Sequence, residues 1–162
     1  MKLIKKHDSY IIILTIIIAL LLSELPLPAV IAPYQPEWVI LVLIYWSMAL
    51  PERIGVGSAW FTGLLLDVLR DTLLGQYALA FALTVFITSK LYQRIRNFPL
   101  QQQVITIFIL MLIHISLIIW IKALSGINVN FSMALIPSFI SALFWPVVYI
   151  ILRSVRRTYH LT

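Results

Sequence analysis

The sequence predicts an all-α integral membrane protein, a single domain of six transmembrane helices over residues 1–162. Composition, the spacing of apolar runs and the placement of charge predict it together. Hydrophobic residues make up 62% of the chain and charged residues 11%, whereas ordinary soluble domains are about 45–50% apolar and about 25% charged. Apolar runs recur at about residues 10–22, 37–50, 54–70, 73–91, 103–124 and 133–152. Several approach the roughly 20 residues that a spanning helix needs. Basic residues collect at the ends of these runs, a pattern of membrane topology and anionic-lipid contact. The net charge of +6 therefore points to membrane lipids and not to nucleic acid. With no cysteine, disulfides are excluded.

Lys2, Lys5 and Lys6 precede the first run. It is read as a retained helix and not a cleaved signal, because no small-x-small site follows it and Pro26 and Pro28 crowd the position. Pro26, Pro28, Pro33 and Pro36 then predict a stiff, extended connection. The second helix starts near Trp38, an expected interface anchor, and stops at Pro51. The third is expected to sit at the centre of the bundle. Gly55, Ala59, Gly63, Asp67 and Asp71 recur every four residues and make one ridge, small at one end and acidic at the other. Gly55, Ala59 and Gly63 would let a neighbouring helix approach closely.

In the fourth helix Ala78 and Ala82 form another small pair, and Thr84 and Thr88 are candidate interhelical hydrogen-bonders. The fifth carries His114, read as a hydrogen-bonding core residue. Pro146 should kink the sixth, and Arg153, Arg156 and Arg157 follow it. Charge counting sets the number of spans. With six spans and both termini inside, ten basic residues lie inside and two, Arg70 and Lys122, outside. If residues 54–69 did not span, the split would be six to six. The positive-inside rule selects six spans and puts Asp67–Asp71 on the outer side.

No Walker loop, zinc spacing or nucleophile elbow occurs, so no catalytic or metal-binding residues and no cofactor are expected. Asp67 has two readings. It pairs with Arg70 three residues on, or it accepts hydrogen bonds from a neighbouring helix or a partner and locks the assembly. Asp67, Arg70 and Asp71 are thus the partner-anchoring candidates.

The run from Pro36 to Gly75 resembles the signature of the bacterial rod-shape-determining family MreD, most closely its gammaproteobacterial members. The matching residues are Pro36 and Trp38, Tyr45 and Trp46, Leu50, Pro51 and Arg53, Gly63, Leu64 and Asp67, then Leu74 and Gly75. The resemblance implies a non-enzymatic scaffold of the inner membrane, similar in fold to the substrate-binding subunits of energy-coupling-factor vitamin transporters. It implies work beside MreC, MreB, the RodA glycosyltransferase and its penicillin-binding transpeptidase in lateral wall synthesis. The alternative is a vitamin-binding transport subunit of that fold. It would need spaced small residues on the first helix, where only Ala19 occurs. A small membrane enzyme is a third, weaker alternative and lacks candidate residues.

Overall fold

The computed structural model describes residues 6–130 and 134–159. Lys2, Lys5 and the expected start of the last helix at residue 133 lie outside them. Among the described residues six α-helices follow one another: α1 (Lys6–Ser23), α2 (Trp38–Ala49), α3 (Val56–Leu69), α4 (Gln76–Asn97), α5 (Leu100–Leu124) and α6 (Leu135–Thr158). A short 3-10 turn, Ala32–Tyr34, stands between α1 and α2. α5 and α6 are long and apolar enough to cross a membrane, while α2 and α3 are shorter apolar helices.

The centre belongs to α2 and not, as expected, to the third helix. α2 is apolar on every side, so it has no face to present outward and is stable only when surrounded. Val39 through Met48 are all buried, against α1, α4 and α6. α3 instead buries a single stripe, Ala59, Thr62, Gly63, Leu66 and Asp67, at helical spacing. That stripe packs mainly on α4, and Trp60, Phe61, Leu65 and Val68 remain exposed. One small-residue ridge serves one close neighbour; an all-apolar helix serves several.

Polar groups pin the core where helices cross, as burial demands. The Trp46 indole Nε1 donates to Thr15 Oγ1 at 2.9 Å. The Glu37 amide donates to Ser141 Oγ at 3.0 Å. Trp145 Nε1 donates to Gln103 Oε1 at 3.2 Å, and Gln103 Nε2 donates to the Phe98 carbonyl. Trp38 is half-buried and meets Phe144 edge-on at 5.4 Å. The expected hydroxyl bridges from α4 are mostly turned back. Thr84 and Thr88 donate to the Ala80 and Thr84 carbonyls of their own helix. Thr84 Oγ1 also lies 3.4 Å from His114 Nδ1, and the buried His114 ring leans on Phe81.

The proline-rich connection is folded back and not extended. Proline forbids regular helix but suits tight turns. The Ile31 amide donates to the Pro28 carbonyl at 2.8 Å, Gln35 Nε2 donates to the Leu22 carbonyl at 2.8 Å, and the turn packs on α6.

The small ridge of α3 is shorter than its spacing suggests. Gly55 stands just before the helix in extended backbone, and a Cβ there would meet nothing within 4 Å. It therefore takes no part in packing; its carbonyl and amide bond the Ser58 hydroxyl. Ala59 is buried. Gly63 is the close approach, where an added Cβ would lie 2.6 Å from the Ala78 amide nitrogen and closer still to Ala78 Cα. Backbone cannot yield as a flexible side chain can.

Gly63→Leu is therefore expected to destabilise the protein by about 3 kcal/mol or more through overpacking. Leu65→Ala, at an exposed position, should stay within about 0.5 kcal/mol. Thermal unfolding of the two variants in mild detergent checks this, and equal melting temperatures would remove the close crossing.

Candidate functional site

The polar residues of the family-like stretch meet where α3 ends and α4 begins. α4 starts after Gly75, whose φ of +100° is a left-handed backbone that favours glycine. A glycine has no side chain to cap the helix, so the first amides of α4 need an acceptor from elsewhere. Asp67 supplies it from the last turn of α3. Its Oδ2 accepts from the Gly75 amide at 2.9 Å and the Ala78 amide at 3.3 Å. Its Oδ1 accepts from the Tyr77 amide at 2.8 Å and the Thr72 hydroxyl at 3.0 Å. The side chain is fully buried. Its negative charge faces the positive end of the α4 dipole.

Asp67 therefore does not pair with Arg70. The neighbouring helix is its partner, and that helix belongs to the same chain. Three motif residues turn out to be one device. Gly63 lets α4 approach, Asp67 caps it, and Gly75 bends the chain so that the amides point at the carboxylate.

Arg70, the C-terminal cap residue of α3, turns to other elements. Its Nε donates to Glu24 Oε1 at 3.0 Å, beyond the end of α1. Its Nη1 donates to Tyr77 Oη at 2.7 Å and lies 3.5 Å from Glu37 Oε2, just before α2. Its Nη2 reaches the Ser23 carbonyl at 3.5 Å. The guanidinium also lies over the Tyr77 ring, 4.9 Å from its centroid. One planar cation thus ties α1, α2 and α4 to α3, which suits the fixed fork of arginine and would not suit lysine.

Asp71, the third anchoring candidate, is exposed and has φ of +48° at the turn, a conformation that aspartate tolerates better than most residues. Leu73 and Leu74 beside it are exposed as well. Of the remaining motif residues, Tyr45 meets Trp46 and Tyr149 edge-on, and the Arg53 amide closes the turn after Pro51 by donating to the Leu50 carbonyl at 3.0 Å.

Glu24, Glu37, Thr72 and Tyr77 were not singled out from the sequence. A signal for the two acids was present. Arg70 is an isolated cation on the side expected to be poor in basic residues, and Glu24 and Glu37 flank apolar runs on that same side.

Fold and site together define an all-helical protein of membrane character whose central polar groups join helix to helix. A family model described as rod shape-determining protein MreD matches residues 5–155. A rod shape-determining protein MreD of Haemophilus influenzae is 32% identical over 142 residues, 87% of each chain. No solved structure matches closely enough to count as a relative. The chain belongs to the MreD family, a family of shape-determining structural proteins, and its role is in cell shape.

Asp67→Leu would strand buried amides at Gly75, Tyr77 and Ala78, and should cost about 3 kcal/mol or more. Asp67→Asn should lose about half as much. Because Arg70 bonds other groups, adding Arg70→Leu to Asp67→Leu should lower stability further. Thermal unfolding in detergent checks the order, and recovery of parental stability in the double variant would show that the two residues pair.

Proposed function

We propose that this protein is a non-enzymatic scaffold of the bacterial inner membrane that links MreC, MreB and the wall synthase, RodA with its penicillin-binding transpeptidase, for lateral wall growth. Family membership across residues 5–155 carries this reading. The chain crosses the membrane six times with both termini in the cytoplasm. The arrangement of the helix ends supports that topology. Glu24, Glu37, Arg70 and Tyr77 gather at one end of the molecule. Arg96, Arg153 and Arg156 gather at the other, where α2, α4 and α6 finish. The positive-inside rule assigns the arginine-rich end to the cytoplasm.

Of the three anchoring candidates, Asp67 is engaged by α4, and Arg70 by the clasp it forms with Glu24, Glu37 and Tyr77. Asp71, with Leu73 and Leu74, is exposed at the outer turn. This turn is the contact for MreC, a charged tip beside two apolar side chains. Its firm base in the Asp67 cap keeps it preorganised for a partner.

Because the chain has no cysteine, single cysteines report topology directly. Ala29→Cys and Asn128→Cys should react with an impermeant thiol reagent in spheroplasts, and Gln101→Cys should not. Labelling of Gln101→Cys from outside would sink the six-span arrangement.

Asp71→Lys combined with Leu74→Glu should leave folded protein in the membrane, reduce co-purifying MreC about tenfold or more, as loss of a buried interface contact does, and give rounded cells. Unchanged MreC recovery would remove the turn as the contact. Recovery of an ATPase pair in place of MreC and RodA would favour the transport reading.

A further inference from the structure

At the end opposite the clasp, the C-terminal parts of α2, α4 and α6 border an open-mouthed cavity of about 250 Å³. It is lined by Tyr45, Met48 and Ala49 of α2, Arg96 of α4, and Tyr149, Arg153 and Arg156 of α6. Three arginines from two helices thus line one small space, Arg156 half-buried and Arg96 and Arg153 more exposed. Among the described residues, no carboxylate pairs with any of the three. The contrast with Arg70 is direct, since that guanidinium has both Glu24 and Glu37. Like charges brought together without a counter-ion repel, and the fold tolerates them best when an anion completes the set.

We propose that this cavity binds a phosphate group, either that of an anionic phospholipid headgroup or that of a soluble phosphate ester. Guanidinium forks match phosphate oxygens two at a time, which a point charge cannot do. Tyr45 and Tyr149 bring phenol groups to the same space, and Arg153 is steadied over the Tyr149 ring, 5.8 Å from its centroid. The volume falls below the roughly 300–1,000 Å³ of pockets that hold a whole drug-sized ligand, so it suits a headgroup and not a larger body. Met48 and Ala49 supply an apolar wall. Back along α6, Val147, Ile150 and Ile151 are exposed and apolar, a surface on which acyl chains can lie. Basic pockets between helices at the cytoplasmic side bind lipid headgroups on this principle. The cytoplasmic placement of the cavity rests on the six-span topology proposed above; the cavity and its three arginines do not.

The experiment uses the full chain in a neutral detergent, with phosphatidylglycerol, phosphatidylcholine, inorganic phosphate and an oligoglutamate peptide as separate probes. Thermal shift and the mass of retained lipid are read. Phosphatidylglycerol should bind about tenfold more tightly than phosphatidylcholine. Arg153→Gln with Arg156→Gln should lose about tenfold in phosphatidylglycerol affinity. Arg94→Gln with Arg157→Gln removes as much charge from exposed positions outside the cavity, and should lose about twofold or less. Unchanged melting of each variant without added lipid separates lost binding from lost folding. If the glutamine pair is not recovered folded, Arg156→Lys keeps the charge and should still weaken binding. Inorganic phosphate that stabilises the protein as well as the lipid does, through the same arginines, assigns the site to soluble phosphate esters. Lipid binding without a phosphate effect assigns it to the headgroup. Equal losses in the two double variants, or an equal shift with oligoglutamate, would overturn the phosphate site.

Discussion

A single buried carboxylate sets the geometry of one end of this protein. Asp67 lies at full depth and accepts from three amides of the α4 start and from Thr72. Burying a charge is costly by several kcal/mol per ion, and only well-aligned donors offset it. Here the donors are backbone amides that would otherwise be orphaned at a helix start. Two costs cancel each other: an uncapped helix and an unpaired anion. The arrangement works only if α4 comes within touching distance of α3, which Gly63 permits, and if the chain bends back sharply, which Gly75 permits. Through α4, this hairpin then rests against α2 at the centre.

Arg70 extends the same logic outward. Asp67 joins two helices, and Arg70 gathers the end of α1, the start of α2 and the start of α4 around one cation. The clasp is partly open to its surroundings, so its ion pairs contribute less than buried ones would. Its value lies in fixing where the helix ends sit. Both polar residues spend their hydrogen bonds inside the chain, and this suits a protein whose role in cell shape is structural. The two ends of the molecule differ accordingly. At the clasp, positive and negative groups satisfy one another. At the opposite end, Arg96, Arg153 and Arg156 line one cavity with no carboxylate paired to them among the described residues.

Much of the architecture could be read from the chain because the information is local. Long apolar runs make helices wherever they fall, and Pro51 and Pro99 mark where α2 ends and α5 begins. The ridge through Ala59 and Gly63 was legible because small residues four apart share a face. The family resemblance was legible because it is a linear pattern. The four-residue spacing of the ridge, however, does not give each of its members the same job. Gly55 continues the spacing on paper but lies outside the helix, and so outside the ridge.

By itself, then, the sequence determined an all-helical apolar chain, its cell-shape family, and a stretch around Asp67 where something specific occurs. Tertiary structure alone decided what that is. Whether Asp67 meets Arg70, a partner or a helix of its own chain depends on where amides 8–11 residues away are carried by the bend at Gly75. No periodicity encodes that. The choice of α2 as the centre was equally hidden, since apolar residues facing neighbours and apolar residues facing lipid read alike in sequence. The convergence of Arg96 with Arg153 and Arg156 joins positions almost sixty residues apart, and only the packing of α4 and α6 around the end of α2 brings them to one cavity.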